Sequence, residues 1–338
     1  MTEDRRVAVI GAGAWGTALG MLLAEKDDFT VTLWSFEADV AESINEVHEN
    51  RYLPGVRLPE ALCAETDLSR TLKGASVVLS SSPAQFVRKV MTEAAPSVST
   101  DALVVSASKG IEIRTLLRMD QVLDQILPKE IMDRFCVLSG PGFAQEVAGH
   151  APTAVVIAGR TAEAAKEAQN IFQRPYFRIY TNTDIVGVEL GGALKNVVAL
   201  AAGITSGLGY GHNTIAAVIT RGLAEMTRLG VAMGGERATF SGLAGMGDLL
   251  LTCTGDLSRN RTVGYRLGQG ESLEAILSDM KAVAEGVKTT ESVYELARGC
   301  GVEMPIVEQV YAILKEDVMP EEALQMLMLR EPTSEEWS

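Results

Sequence analysis

Arg6-Val-Ala-Val-Ile10, followed by Gly11-Ala12-Gly13-Ala14-Trp15-Gly16 and then Thr17-Ala-Leu-Gly-Met-Leu-Leu-Ala24, is the stretch whose reading decides the fold. The opening run is short, apolar and rich in β-branched residues, whereas the closing run is made of helix formers, so the spacing predicts a strand, a tight glycine turn and a helix. A second β-rich run, Thr30–Trp34, returns about one helix later and completes a unit of βαβ length. Strand-like runs recur at Ala75–Leu79, Ala102–Ser106, Phe135–Leu138 and Ala154–Ile157, with helical patterns between several of them. Their consecutive apolar positions suit a parallel sheet covered on both faces. The first part therefore reads as an α/β domain with a Rossmann-like, doubly wound sheet. After Tyr176–Tyr180 the texture changes to Ala, Leu, Val and Gly in helical patterns, which predicts domains at 1–184 and 185–333, the second all-helical, and a frayed tail at 334–338.

The bulk properties narrow the function. At 338 residues, about two domains are expected, and 47% hydrophobic against 22% charged residues fits a well-buried globular chain. A formal charge of -14 opposes nucleic-acid coating and binding to an anionic membrane, both of which need a broad basic face. An anionic ligand must then find a local basic pocket. The four cysteines are widely spaced with no CxxC pair and read as reduced core residues, while three histidines without i, i+4 pairing give no metal site. The acidic start lacks the basic and long apolar regions of a signal peptide, and no uninterrupted apolar run reaches about 18 residues, so neither a secreted protein nor a membrane span is expected; the reading is cytoplasmic.

Gly11, Gly13 and Gly16 stand as GxGxxG after a strand and before a helix, the setting that separates a dinucleotide fingerprint from a ligand-free glycine turn. Gly11 would permit the tight turn, Gly13 the approach of a pyrophosphate, and Gly16 close helix-strand packing, with the helix N-terminus facing the phosphates. The residues after the second strand, Ser35-Phe36-Glu37, offer neither an obvious well-placed acid at the strand end nor an obvious arginine for a 2′-phosphate, although Glu37 could reach back to a ribose; NAD against NADP stays open.

Further chemistry-bearing residues punctuate the chain. Lys109 follows a strand directly, at the sheet edge where such folds bind ligands, although a solvated loop lysine is an equal alternative. Ser139-Gly140-Pro-Gly142-Phe143 is another strand-end glycine loop that could line the same crevice. Lys195 lies in an apolar helical run, with Gly191 and Gly192 at i-4 and i-3, which suggests a bare helix face with room for a small molecule. Desolvation there would favour the neutral amine and suit proton exchange; the alternative is a lysine that snorkels to water. Ser258 resembles a helix N-cap, and a helix opening with Arg259, Asn260 and Arg261 would present N–H groups, an amide and guanidinium forks to a phosphate monoester, unless it is an ordinary capped surface helix.

Taken in order, GAGAWGTAL, NRYLPG, SKGIE, SGPGFAQE, ELGGALKNVVALAAGI, GMGDLLLTCTGDLSRNRTVG and VAEGVKT resemble the NAD(P)-dependent glycerol-3-phosphate dehydrogenases of bacterial type across nearly the whole chain. The resemblance implies reversible hydride transfer between NAD or NADP and C2 of dihydroxyacetone phosphate, giving sn-glycerol 3-phosphate for glycerophospholipid synthesis. By matching position, Lys195 and Asp248 would be catalytic, Lys195 as the acid/base and Asp248 holding it and the substrate. Lys109, Gly140, Gly142, Ser258, Arg259 and Asn260 would also contact substrate. Gly11, Gly13, Ala14, Trp15, Gly16, Phe36, Lys109, Ala144, Arg259, Val283 and Glu285 would form the cofactor site, with no metal. A homodimer is the expected assembly.

The chain departs from the family pattern at Ala14, where serine is common, at Phe36, where a basic residue is frequent, and at Gly142, where serine or threonine is usual. The rival readings are another dehydrogenase with a helical second half, of β-hydroxyacid or ketopantoate type, and a nicotinamide-binding redox sensor. The basic cluster at 258–261 speaks against the former, since a carboxylate substrate does not require it.

Overall fold

The computed structural model describes residues 5–280, 284–332 and 334–335. By contact, the chain divides into a first unit, residues 1–109 and 118–188, and a second, residues 110–117 and 189–338. The excursion of 110–117 into the second unit has no signal in the linear pattern.

The first unit holds one sheet built from β1 (Arg5–Ile10), β2 (Phe29–Trp34), β3 (Cys63–Glu65), β4 (Ala75–Ser80), β5 (Leu103–Ser106), β6 (Cys136–Ser139), β7 (Thr153–Gly159) and β8 (Phe177–Asn182). Its order is β3-β2-β1-β4-β5-β6-β7-β8. The first six strands are parallel, so the doubly wound arrangement stands as read. The parallel expectation fails at one edge: β7 pairs antiparallel to β6, and β8 follows β7 in parallel. Burial explains the failure, because an apolar run signals two covered faces but carries no information on strand direction. β3 escaped the sequence reading because three residues, Cys63-Ala-Glu65, show no usable alternation.

Packing fixes the end of the sheet where the glycine turn lies. Val7, Val9, Val31, Leu33, Val77, Leu79, Leu103 and Val105 belong to one buried cluster with Leu19, Leu22 and Leu23 of the helix Ala14–Ala24. Each such side chain contributes roughly 1.5–3 kcal/mol by leaving water. The buried Arg174 guanidinium donates from Nε to the Leu22 carbonyl at 2.9 Å, satisfying an orphan acceptor at the C-terminal end of that helix. The strand order reverses between β1 and β4, and the crevice beyond their carboxyl ends is where open α/β sheets receive ligands.

The second unit is helical, with the long helix Ile185–Gly207, begun in the first unit, at its centre. That helix has the length and mean hydropathy, 1.5, of a membrane span, yet 83% of its apolar window is buried within the fold, as in the core helix of a globular protein. Its glycines make a backbone-to-backbone crossing with the helix Arg259–Gly268. A Cβ on Gly203 would lie 2.2 Å from the Arg261 carbonyl oxygen, and one on Gly264 2.1 Å from that of Leu200. The cysteines are all free, but only Cys136 and Cys253 are buried; Cys63 and Cys300 are exposed, contrary to the core reading. Most of the expected tail at 334–338 lies outside the described residues.

Candidate active site

In the first unit the glycine turn adopts three distinct environments. Gly11 has φ +122°, and a Cβ there would press to 3.0 Å on the backbone of Ser81 and Ser82, which follow β4. A Cβ on Gly16 would sit 2.1 Å from the Gly11 carbonyl oxygen, so Gly16 permits the helix to start against the turn. Gly13, the helix N-cap, has nothing within 4 Å of an added Cβ. Gly11 and Gly16 thus answer to close packing, whereas Gly13 is left open. Asn50 secures the turn: buried, it donates from Nδ2 to the Ala12 carbonyl and to Thr17 Oγ1, each at 2.8 Å. The NRYLPG segment carries no local sign of this function, because nothing near Asn50 in the chain points to Ala12.

Ala14 is the first helical residue, and Trp15 follows with its indole Nε1 buried and without a hydrogen-bond partner among the described residues. The open space over Gly13 and the free N–H groups of the first helical turn together fit a dinucleotide phosphate. Gly142 packs on Trp15, where a Cβ would meet the ring at 3.0 Å, so the departure from serine or threonine leaves room for the indole. Ala144 opens the short helix Ala144–Ala148, which packs on Ala14–Ala24. Lys109 donates from Nζ to the Gly140 carbonyl at 3.1 Å, so the strand-end lysine and the glycine loop after β6 do meet. Phe36, just past β2, is 77% exposed and stands edge-on to Trp34.

In the second unit Lys195 is buried and donates to Asp248 Oδ1 and, at 2.9 Å, to Thr252 Oγ1. Thr252 in turn donates to the Asp248 carbonyl at 2.6 Å, so its oxygen is free to accept from the ammonium. Thr252 was not anticipated, although it lies one helical turn after Asp248 on Asp248–Thr254, and that i, i+4 spacing was the available signal. The neighbouring Cys253 thiol is pushed up to about 12 by burial, first of all, and remains a neutral thiol beside the ion pair.

The expectation of a bare helix face is overturned at Gly191. Gly191 does not leave a bare face for a ligand: a Cβ there would be 2.5 Å from the Ala244 carbonyl oxygen. The turn Leu243–Gly247 fills that space with backbone and thereby delivers Asp248 to Lys195. Glycine spacing shows where something approaches closely, and it cannot distinguish a small molecule from the chain itself.

Ser258 caps the helix Arg259–Gly268, its Oγ accepting from Arg261 N at 3.2 Å. Arg259 is exposed and makes no ion pair with any described residue, whereas Arg261 is paired with Asp256. Asn260 is buried and belongs to a chain of amides: it donates to Asn196 Oδ1 at 2.9 Å and accepts from Gly286 N at 2.9 Å. Glu285 opens the helix Glu285–Cys300, where a carboxylate suits the positive end of the helix dipole. Val283 lies outside the described residues.

Residues 6–165 match the family model of the NAD-dependent glycerol-3-phosphate dehydrogenase N-terminus, and residues 184–325 that of its C-terminus. A glycerol-3-phosphate dehydrogenase [NAD(P)+] of Geobacter metallireducens is 55% identical over 331 residues, covering 98% of each chain. The crystal structure of the glycerol-3-phosphate dehydrogenase of Coxiella burnetii matches with TM-score 0.91 at 39% identity, over 97% of this chain and 99% of that one. A ketopantoate reductase of Ralstonia eutropha matches with TM-score 0.62 at 17% identity, over 94% and 99%, which is likeness of fold alone. With both of its halves matched in order and a relative more than half identical over nearly its full length, the chain belongs to the NAD-dependent glycerol-3-phosphate dehydrogenase family.

Proposed function

We propose that the chain catalyses the reversible NAD(P)H-dependent reduction of dihydroxyacetone phosphate to sn-glycerol 3-phosphate, with Lys195 as the proton donor. The observation that carries this reading is the buried Lys195, held by Asp248 and Thr252. When bound, the nicotinamide supplies the hydride for C2 of the ketone. Lys195 gives the C2 oxygen its proton, and takes it back in the reverse direction. Asp248 and Thr252 fix the ammonium in one orientation, so that no rotamer search precedes the transfer. Arg259, the capped helix start and Asn260 take the phosphate, whose binding energy orients the distant carbonyl. Lys109, Gly140 and Gly142 are assigned to substrate by the family pattern, and Gly11, Gly13, Ala14, Trp15, Gly16, Phe36, Lys109, Ala144, Arg259, Val283 and Glu285 to the cofactor.

The product suits glycerophospholipid synthesis in the cytoplasm, and the exposed Met326, Met328 and Leu329 on the second unit are compatible with a homodimer surface. The test follows nicotinamide absorbance with purified protein, comparing dihydroxyacetone phosphate with unphosphorylated dihydroxyacetone. Turnover that requires the phosphate is expected. Silence with both substrates, in folded and cofactor-bound protein, rejects the activity.

A further inference from the structure

The tip of β2 carries a charge cluster that the reaction does not use. Ile10 and Trp34 are register partners, and Gly11 N donates to the Trp34 carbonyl at 3.1 Å, so Ser35-Phe36-Glu37 runs directly beside the glycine turn. Neighbouring strands lie about 4.8 Å apart, and an adenosine ribose on the pyrophosphate at this turn falls at that tip. The backbone of the tip is tied down, since Ser35 Oγ donates to the Glu37 carbonyl at 2.9 Å.

The Glu37 carboxylate is also held. Its Oε1 accepts from the Tyr52 hydroxyl at 2.8 Å, while Tyr52 N donates to Asn50 Oδ1 at 2.9 Å, and Asn50 is the residue that clamps Ala12. The same segment thus secures both the turn and the acid. Oε2 accepts no hydrogen bond from any described residue and is left as an acceptor. The one cation of the cluster, Arg51, is paired with Asp39 and lies over the Tyr52 ring, 4.0 Å from the nearer Glu37 oxygen. Two carboxylates against one guanidinium leave the tip net negative. Phe36 adds an exposed apolar ring at the position where a phosphate would want a base.

We propose that Glu37, anchored by Tyr52, accepts a hydrogen bond from the adenosine 2′-hydroxyl and makes this site selective for NAD(H) over NADP(H), with Asp39 keeping Arg51 from serving a 2′-phosphate. A 2′-phosphate brings a charge of roughly -1.5 to -2 to a tip that is already negative, and it removes the hydroxyl that Glu37 would bind. The inference rests on the reading of this sheet edge as the dinucleotide site.

The experiment is titration calorimetry of the full chain without substrate, with NADH and NADPH and then with ADP and adenosine 2′,5′-bisphosphate. NADH should bind at least about tenfold more tightly than NADPH, and ADP more tightly than the bisphosphate. Glu37→Gln should shrink both ratios by raising affinity for the 2′-phosphorylated member. Asp39→Asn, which releases Arg51, should do the same without touching Glu37. Tighter binding of NADPH by the unmodified chain, or ratios unmoved in both variants, overturns the selectivity while leaving the dinucleotide site intact. Failure of all four nucleotides to bind overturns the site reading and the inference with it.

Discussion

Lys195 shows what a single residue owes to its surroundings. A lysine in an apolar helix is costly unless its ammonium has partners, and here Asp248 and Thr252 supply them. Lys195→Ala should lower kcat by about 10²–10⁴-fold while nicotinamide affinity, measured by titration, stays near normal. A variant with ordinary turnover rejects the proton-transfer role. Arg259 makes the complementary case, because it is exposed and unpaired among the described residues. Arg259→Ala should raise KM for dihydroxyacetone phosphate by about 10–100-fold, the loss of one charge-assisted contact worth roughly 1.5–3 kcal/mol. An unchanged KM would move the phosphate elsewhere. Both residues were legible in the linear chain, since lysine in apolar context and Arg-Asn-Arg after a capping serine are unusual in themselves. Asn196 and Asn50 were not, because their partners lie on other segments, and Thr252 was signalled only by its i, i+4 spacing from Asp248.

Among the elements, the crossing of Ile185–Gly207 with Arg259–Gly268 does most to build the second unit's cluster. Carbonyl oxygens of one helix occupy the place of side chains on the other, which brings Asn260 within reach of Asn196. Gly264→Ala raises intrinsic helix propensity, yet its methyl would lie 2.1 Å from the Leu200 carbonyl oxygen and force the helices apart. It should lower the melting temperature by several degrees. Gly299, in the helix Glu285–Cys300, has nothing within 4 Å, and Gly299→Ala should stabilise by about 0.5–1 kcal/mol. Thermal unfolding of the pair checks the argument: two stabilising changes would show that propensity, and not backbone approach, governs these glycines.

At the scale of the whole molecule, Glu225 couples stability to pH. Its carboxylate, buried on the helix His212–Ala232, accepts from Ile306 N at 2.8 Å and Val307 N at 3.3 Å at the start of Pro305–Lys315. Burial outweighs these bonds and pushes the carboxyl up to about 7 from 4.5. The folded state therefore holds the proton more tightly than the unfolded chain. The stability this adds is complete below about pH 4.5 and is lost as pH rises through about 7, a change of about 3 kcal/mol. The stability difference between the wild type and Glu225→Gln, from denaturant melts across that range, should fall with pH by this order. A difference that stays flat would show Glu225 to be ionised at no cost.

The architecture at this scale divides between what local pattern dictates and what it cannot. The βαβ opening, the parallel run of strands, the change to helix near residue 185 and the capped basic helix all follow from periodicity, glycine placement and capping chemistry, which act over a few residues and are therefore written in the chain itself. The antiparallel β7 edge, the passage of 110–117 into the second unit, the backbone that fills the space at Gly191, and the hydrogen bond of Lys195 to Thr252 were decided only by tertiary structure. Strand direction, close backbone approach and the partner of a buried charge depend on which distant segment arrives. That is settled by burial of the whole core and by the need to satisfy every polar group inside it.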